Sequence, residues 1–433
     1  FKHGVNSAPP DYRLRSGWNA LLPRRKPHPA LAGDQRADVV IVGAGFTGLA
    51  CARRWHEVAP LARVVVIDSS EIGEGNPGRN SGFFLEVALA DDADPRSTAR
   101  MEACNRLTRE AMRDIVAAAQ SVDAAIDLAR AGTYRAAAGP IGMRALQKYE
   151  TFLQGAGLPY RRLDRAALGE ELGTGFYTAG LYSPDCYLGQ PAALIRAIAH
   201  ALPESVVVFE NTPALTISRS AGFWDIESPG GRLRSAKLVL ANNAFARQLG
   251  IARSRLASVY TYAGISDVLS DEQLAGLGSN NNWGVLPMHR LGSTLRRTVD
   301  GRLLIRSLHD YERERGKRDI AAALGHRLER RFPQLAGTAF QHIWGGAVGF
   351  TYNASPVWGE QQPGLFLSCG CNGGGTVKGT LFGRLLAELA LGEAVPDVSA
   401  LFGSASWLPP EPWRRVGFSV RAALESWQGR QEL

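Results

Sequence analysis

Residues 37–48 read ADVVIVGAGFTG, and this stretch decides the fold. Residues 38–41 begin with Asp38 and continue as an uninterrupted apolar run, as in a buried parallel strand. Three glycines follow in a G-x-G-x-x-G pattern, and residues 49–57 have helical character. A second apolar run, 63–67, ends at Asp68. The order strand, glycine turn, helix, strand predicts a βαβ unit.

The spacing of the three glycines suits a dinucleotide. Gly43 allows the tight turn, Gly45 lets the backbone approach a pyrophosphate, and Gly48 lets the helix pack closely on the strand. The helix starting at Phe46 and Thr47 then presents free N–H groups and a partial positive charge to phosphates. The motif predicts a nucleotide cofactor, but alone it does not choose between FAD and NAD.

An acidic residue stands where a ribose contact is expected. Asp68 lies 20 residues after Gly48, at the end of the second predicted strand. A carboxylate there accepts hydrogen bonds from ribose hydroxyls and disfavours a 2′-phosphate. The sequence therefore argues against NADP. Ser69 follows directly and belongs to the same predicted contact.

A second glycine cluster follows the Asp68 strand and reads EGNPGRNSGF over residues 74–83. It holds an arginine and small polar residues between glycines. Such a loop can pass close to a flat ring and offer backbone donors to it, although an ordinary turn explains the residues equally well.

Composition bounds the protein class. The 433 residues predict two or three domains, and 45% hydrophobic with 21% charged residues is the profile of a globular protein. The formal net charge is +8, but the basic residues are scattered, so no nucleic-acid partner is predicted. The five cysteines are odd in number and mostly far apart, which fits neither a disulfide scaffold nor a zinc-finger spacing. Their use indicates a reducing, cytoplasmic location. No apolar run is long enough to predict an integral membrane helix, and oligomeric state is not indicated.

Five segments in order resemble the D-amino-acid-oxidase-type family of FAD-dependent oxidoreductases, in the group of γ-glutamylputrescine oxidase, glycine oxidase and sarcosine oxidase. The segments are residues 37–68, the loop 75–82, the strand LVLANNA at 238–244, the residues WGG, GFT and Pro356 within 344–356, and GGGT at 373–376. Pro77, Ser81 and Asn353 depart from the residues usual in relatives. Sarcosine oxidases attach flavin through a cysteine near 344–350; none stands there in this chain, which implies non-covalent FAD.

The resemblance implies an α/β fold: a doubly wound, Rossmann-like FAD-binding domain with an inserted α+β substrate domain that carries a mainly antiparallel sheet. We expect the FAD domain at 1–90, 183–256 and 340–410, the substrate domain at 91–182 and 257–339, and a C-terminal helical tail at 411–433. The implied FAD contacts are Gly43, Gly45, Phe46, Thr47, Gly48, Asp68, Ser69, Gly78, Arg79, Asn80, Ser81, Gly82, Ala241, Gly373, Gly374, Gly375 and Thr376.

The implied reaction is oxidation of an amine or amino acid. Hydride passes from the carbon that bears nitrogen to flavin N5, the imine hydrolyses, and O2 takes the electrons to give H2O2. This chemistry requires no metal, and no metal is predicted. A dehydrogenase that passes electrons to a quinone or carrier protein is the alternative, and the tail with Trp413 and Trp427 could then touch a membrane surface. A non-catalytic flavoprotein and an NAD enzyme are weaker alternatives.

Substrate residues are expected on the β-rich stretch 258–310, which should cover the open face of the flavin. Tyr260 and Tyr262 alternate with smaller residues and could hold an amine, with Tyr260 assigned to catalysis and sheet packing as the alternative. His289 is a candidate base. Arg306 or Arg302 could bind a carboxylate. Trp344 is expected in the wall of the substrate pocket, with a place in the core as the alternative.

Overall fold

The computed structural model describes residues 2–3, 11–87 and 97–433. The strands of this part are β1 Lys2–His3, β2 Gln35–Val42, β3 Val64–Ile67, β4 Phe83–Leu85, β5 Thr133–Ala137, β6 Arg161–Asp164, β7 Ala179–Ser183, β8 Cys186–Leu188, β9 Val207–Phe209, β10 Thr216–Ser220, β11 Phe223–Ser228, β12 Gly231–Leu240, β13 Ala257–Ser266, β14 Trp283–Pro287, β15 Thr294–Arg297, β16 Leu303–Tyr311, β17 Phe340–Phe350, β18 Val357–Gln362 and β19 Leu365–Cys369.

The α-helices of the same residues are α1 Gly17–Ala20, α2 Phe46–Val58, α3 Thr98–Gln120, α4 Pro140–Gly155, α5 Arg165–Leu172, α6 Pro191–His200, α7 Asp271–Ala275, α8 Lys317–Arg331, α9 Val377–Leu391, α10 Val398–Phe402 and α11 Trp413–Gln428. Short 3₁₀ segments span Asn76–Gly78, Asn243–Leu249 and Pro333–Leu335.

The first sheet is parallel at its centre, where β9, β3, β2, β12 and β19 run side by side. All four residues of β3 and the last four of β2 are buried, as continuous apolar strands covered on both faces should be. The antiparallel hairpin β10–β11 extends from the first half of β12, and a turn at residues 229–230 joins β11 to β12. The predicted unit β2–α2–β3 is confirmed.

Helices α2, α3, α6 and α9 pack on one face of this sheet. The other face is covered by the β10–β11 hairpin, the 3₁₀ segment Asn243–Leu249 and the chain around Leu256. The carboxyl ends of β2, β3 and β12 meet at one edge, where the glycine turn and Asp68 follow their strands. This is the edge at which open α/β sheets bind ligands.

The second sheet has eight strands in the order β17-β13-β16-β15-β14-β5-β7-β6, and all pairs except β14–β5 are antiparallel. The α/β class with a separate, mainly antiparallel sheet is therefore confirmed. Helix α8 covers one face of this sheet through an apolar cluster that includes Leu324 and Leu328. The opposite face is turned toward the nucleotide-binding edge of the first sheet.

Two elements lie on the other side of the predicted domain boundaries. Strand β17, which the prediction places in the FAD domain, pairs along β13 in the second sheet. Helix α3, which the prediction places in the substrate domain, packs on α9 and α6 beside the first sheet, because its buried face is small enough at Ala111 and Ala118 for close approach. Strand patterns alone do not tell which sheet an element joins.

The predicted C-terminal helix is present as α11, and the last residues are fixed to the second domain. The carboxylate of Glu432 accepts hydrogen bonds from the backbone N–H groups of Ala138 and Gly139, at 2.9 and 2.7 Å. These two residues lead into α4, so the chain terminus caps that helix. Within the described ranges no helix is both long and apolar enough to cross a membrane.

Candidate cofactor and substrate site

A cavity of about 1100 Å³ lies between the glycine-rich edge of the first sheet and the open face of the second. It brings together all three glycine clusters, although the third lies more than 290 residues after the second along the chain. The predicted cofactor residues that line it are Gly43, Gly45, Phe46, Thr47, Asp68, Ser69, Arg79, Asn80, Ser81, Ala241, Gly373, Gly374, Gly375 and Thr376.

The first glycine turn has the geometry that its sequence requires. Gly43 has a φ of +109°, which side chains on L-residues rarely permit. Gly45 is the N-cap of α2, so the free N–H groups of that helix face the cavity. Gly48 does not line the cavity: a Cβ there would overlap the carbonyl oxygen of Gly43. Its role is close packing of helix on turn.

Asp68 joins the end of β3 to the glycine turn. Its Oδ2 accepts a hydrogen bond from the Ala44 N–H at 2.8 Å, and its Oδ1 accepts one from the Ser70 N–H at 3.0 Å. Burial raises the pKa of Asp68, and the two backbone N–H groups oppose that rise. The carboxylate keeps further acceptor capacity at the cavity wall, which suits a ribose hydroxyl.

The second glycine cluster packs directly against the first. Its residues Asn76–Gly78 form a 3₁₀ turn, and a Cβ on Gly45 would lie 2.9 Å from the Cγ of Pro77. Asn80 stabilises the loop by donating to the Pro77 carbonyl at 2.7 Å and accepting from the Gly82 N–H at 2.8 Å. Gly78 and Gly82 are packing positions and do not line the cavity. Pro77 therefore replaces the usual residue without breaking the loop.

Arg79 and Trp344 hold this loop to the second sheet. Arg79 is buried; its Nη1 donates to the Gly345 carbonyl at 2.9 Å, and its guanidinium lies 3.8 Å from the centre of the Tyr12 ring. Burial lowers the pKa of Arg79. Trp344 is fully buried and donates from Nε1 to the Arg79 carbonyl at 2.9 Å. Trp344 thus lies in the core and supports the loop from behind. It does not line the cavity, so the prediction of a place in the pocket wall is wrong.

The third glycine cluster leads into α9. Residues 373–376 line the cavity just before the first turn of that helix, and the Thr376 hydroxyl donates to the Phe83 carbonyl at 3.3 Å. Asn243 fixes the preceding chain by accepting from the Gly370 N–H at 3.0 Å. Its Nδ2 also lies 3.0 Å from the Sγ of Cys371, which lines the cavity.

These residues fit the FAD implied by the sequence. Asp68 would hold the ribose, the start of α2 would face the pyrophosphate, and the loop from 79 to 81 with residues 373–376 would surround the ring system. The hydroxyl of Ser81 and Oδ1 of Asn242, on two sides of the cavity, are buried and without a hydrogen-bond partner among the described residues. Buried polar atoms of this kind are normally satisfied, and a polar cofactor would satisfy them.

The second sheet presents one face to the cavity through Thr261, Arg306, Thr294 and Leu286 on the neighbouring strands β13, β16, β15 and β14, and through Gly346 and Val348 on β17. Arg306 donates from Nε to the Thr261 hydroxyl at 2.8 Å, and burial lowers its pKa. No acidic group of the described chain lies within ion-pair distance of this guanidinium. The cavity wall therefore carries a half-buried cation that has no carboxylate partner among the described residues.

Tyr260 and Tyr262 point to one side of the sheet, as the alternation predicts, but that side is covered by α8. Tyr262 is 1% exposed and accepts a hydrogen bond from the Arg315 N–H at 2.7 Å. Tyr260 packs on the same apolar cluster and meets the cavity only through the ring of Tyr12, 6.3 Å away. The residue between them, Thr261, is the one that faces the cavity. Both tyrosines therefore take part in sheet packing, which is the alternative expectation for them. The assignments of Tyr260 to catalysis and of Tyr262 to substrate binding are wrong.

His289 is buried outside the cavity, in the loop after β14. Its Nδ1 accepts a hydrogen bond from the Leu291 N–H at 3.3 Å, and Gly429 lies against its ring just past α11. Burial lowers the pKa of His289. The prediction of a base here fails because the chain terminus covers the loop. Within the described chain, no three potential metal-ligating residues cluster.

Several site residues escape the sequence patterns. Tyr12 reaches the cavity from the N-terminal arm, where its hydroxyl accepts from the Ala347 N–H at 3.0 Å. Gly379 and Gly383 let α9 approach Thr47; a Cβ on Gly379 would lie 2.8 Å from the Thr47 hydroxyl. The G-x-x-x-G spacing on α9 is a signal that could have identified this contact. Tyr12 has no comparable signal, because its partners are remote in sequence.

Comparison with known proteins agrees with this geometry. Residues 38–389 match the family described as DAO, FAD dependent oxidoreductase. The chain is 28% identical over 397 residues to the probable oxidoreductase OrdL of Rhizobium meliloti (strain 1021), covering 88% of this chain and 89% of the relative. It is 25% identical over 388 residues to the gamma-glutamylputrescine oxidoreductase of Escherichia coli (strain K12), with the same coverages of 88% and 89%.

Among solved structures, glycine oxidase from Geobacillus kaustophilus superposes with a TM-score of 0.70 at 21% identity, covering 86% of this chain and 98% of that one. At that identity the likeness concerns the fold alone. The family match spans most of the chain and includes all three glycine clusters of the cavity. The chain therefore belongs to the DAO family of FAD-dependent oxidoreductases.

Proposed function

We propose that this protein is an FAD-dependent oxidase that acts on an amine or amino acid. We propose further that its substrate carries a carboxylate close to the reacting nitrogen. The substrate loses a hydride from the carbon that bears nitrogen and a proton from the amine, and water hydrolyses the imine to a carbonyl compound. O2 takes up the two electrons with two protons and leaves as H2O2. Bound FAD supplies the two-electron acceptor for the C–H bond.

The observation that carries the substrate class is the guanidinium of Arg306 on the cavity wall, which has no carboxylate partner among the described residues. A buried cation is costly unless a counter-charge reaches it, and a guanidinium binds a carboxylate through two parallel hydrogen bonds. Thr261 accepts from Nε at 2.8 Å and so fixes the plane of the group. A substrate carboxylate at Arg306 would direct the rest of the molecule toward the glycine clusters on the opposite wall.

The cavity wall is mostly apolar, so it excludes water from the substrate. Leu286, Met101 and Phe402 add apolar surface to the substrate side. The described residues of the wall do not include a histidine that could act as a base. We therefore infer that the amine enters the reaction as the neutral species after losing its proton to water, with desolvation in the cavity favouring the uncharged form. The names of relatives such as the glycine oxidase of Geobacillus kaustophilus (strain HTA426) support this substrate class.

We further propose that FAD is held without a covalent bond. Strand β17 contains no cysteine, and the Sγ of Cys371 is engaged by the Asn243 amide. Acid precipitation of the purified protein should release all flavin into the supernatant. Flavin that stays with the pellet, and is released in Cys371→Ser, would contradict the proposal.

The test uses pairs of amines that differ in a carboxylate next to the amine-bearing carbon, such as sarcosine with dimethylamine and glycine with methylamine. Without oxygen, the flavin absorbance should bleach with the carboxylate-bearing member of at least one pair and not with its partner. Admission of air should restore the colour and release one H2O2 per substrate. Bleaching without peroxide would replace the oxidase with the alternative dehydrogenase that uses a quinone or carrier protein. Bleaching by both members alike would remove Arg306 from the proposal.

A further inference from the structure

The C-terminal helix α11 exposes its apolar face to solvent and directs a more polar face toward the protein. Its protein-facing side carries Arg414 and Glu425 beside Phe418, and the Arg414 guanidinium donates to the carbonyls of Pro409 and Arg253 at 2.8 and 2.9 Å. A surface helix normally buries its apolar face and exposes its charges. Here polar contacts attach the helix, and its apolar side is left outside.

The exposed side forms a continuous apolar stripe. The five large side chains of this stripe are between 50% and 70% exposed and recur at helical spacing: Trp413, Val416, Val420, Leu424 and Trp427. They lie on one face along the whole helix, which is about 24 Å long. Trp407, 65% exposed, lies in the chain just before the helix. Single exposed apolar residues are ordinary, but a contiguous stripe marks a binding surface.

Several arginines are exposed on this helix and in the loop to which it is attached. Arg415 and Arg421 are exposed on α11 itself, and the exposed Arg253 and Arg255 lie in the loop that Arg414 and Leu408 contact. The acids beside it are Glu411 and Glu425. Glu425 pairs with Arg421 at 2.9 Å and lies 3.6 Å from Arg290, while Glu411 accepts from the Arg415 N–H at 3.3 Å. The surface around the stripe is therefore positive.

We propose that this stripe is a docking surface for an anionic lipid bilayer, on which α11 lies in the plane of the headgroups. Tryptophans at both ends and arginines beside a narrow apolar face are the composition of an interfacial helix, and tryptophan prefers the headgroup level. A second copy of this chain would bring the same arginines against each other, whereas anionic lipids neutralise them. The inference is independent of the proposed amine oxidation.

Flotation of the FAD-loaded protein with phospholipid vesicles tests the proposal. The protein should rise with vesicles that contain 30% phosphatidylglycerol and far less with pure phosphatidylcholine vesicles, and added salt should weaken the binding. Val420→Asp places a charge in the middle of the stripe and should lower vesicle binding by about tenfold or more. Its matched control is Ser419→Asp, which adds the same charge to the neighbouring exposed position outside the stripe and should leave most binding intact.

Both variants should keep wild-type flavin content and thermal midpoint, since both positions are exposed. Wild-type protein that stays below the vesicles, or Val420→Asp that floats as well as wild type, would overturn the proposal. Equal binding to neutral and anionic vesicles would also overturn it. A dimer in sedimentation analysis that Val420→Asp dissociates, with no vesicle binding, would assign the stripe to a second copy instead.

Discussion

The two walls of the cavity are built by different means. On the first sheet the wall is mostly backbone: glycine turns, two helix starts and the Asp68 carboxylate that accepts from Ala44. On the second sheet the wall is made of side chains, and Thr261 faces the cavity while its neighbours Tyr260 and Tyr262 do not. The residues that form the backbone wall are determined by the positions of the glycines in the sequence. The residues that form the side-chain wall are determined by which face of the second sheet is covered by other elements.

The largest effect is expected where a side chain is added directly behind the backbone wall, between α2 and the glycine turn. In Gly48→Ala the new methyl group would overlap the Gly43 carbonyl oxygen, so the turn and α2 cannot keep their distance. We expect complete loss of bound flavin, measured as flavin absorbance per chain after purification. Gly325→Ala is the control: it lies in α8 with no atom within 4 Å of the new Cβ and should retain flavin. A yellow Gly48→Ala protein would show that this wall tolerates side chains after all.

On the side-chain wall, removal of the cation should reduce turnover and leave flavin bound. For Arg306→Ala we expect kcat/KM for the carboxylate-bearing substrate to fall on the order of a hundredfold, because a charged partner is lost from a buried site. Arg302→Ala is the control, since Arg302 donates to the Ser266 carbonyl at 3.0 Å and does not line the cavity. Equal losses in both variants would point to general damage of the sheet.

A smaller effect on the same wall tests positioning. Thr261→Val keeps the shape of the side chain and removes the acceptor for Arg306 Nε. We expect a loss of about fivefold to tenfold in kcat/KM, the size of one hydrogen bond, mainly through KM. The measurement is steady-state kinetics. The matched control is Thr294→Val, which changes another threonine of the cavity wall in the same way. An unchanged KM would mean that Arg306 is held by packing alone.

The tyrosines on the covered face should affect stability and not catalysis. Tyr262→Phe removes the acceptor of the Arg315 N–H and should lower the free energy of unfolding by about 1 kcal/mol. The value of kcat should not change. Urea unfolding gives the first quantity and steady-state turnover the second. A large fall in kcat with unchanged stability would return Tyr262 to the list of substrate residues.

The smallest effect concerns His289 and pH. Burial lowers its pKa in the folded protein below the ordinary value of 6.5, so the unfolded chain binds this proton more readily than the folded chain does. Its contribution to stability is complete above pH 6.5 and is lost as the pH falls below it. His289→Gln should therefore show a shallower decline in stability from pH 7 to pH 5, with kcat at pH 8 unchanged. A pH-dependent loss of kcat in this variant would restore a catalytic role.

The same contrast explains what the sequence predicts. The turn at Gly43–Gly48, the acid at Asp68 and the order of the elements follow from local spacing, so the βαβ unit and a dinucleotide cofactor are predictable from it. The choice of FAD and the two-domain fold depends on the resemblance to a known family. The face on which Tyr260 and Thr261 lie is set by α8, which comes more than 50 residues later in the chain. Likewise, His289 is covered by the chain near Gly429, and β17 joins the second sheet by pairing with β13. These choices depend on contacts that no local pattern encodes.

The attachment of Glu432 to the start of α4 bears on the order of events during protein synthesis. Translation produces residues 140–155 long before residue 432 leaves the ribosome, so the first turn of α4 lacks its carboxylate cap throughout elongation. Domains commonly begin to fold while the chain is still growing. In this protein the second domain therefore reaches its capped form only once residue 432 has been synthesised and has left the ribosome, long after α4 itself.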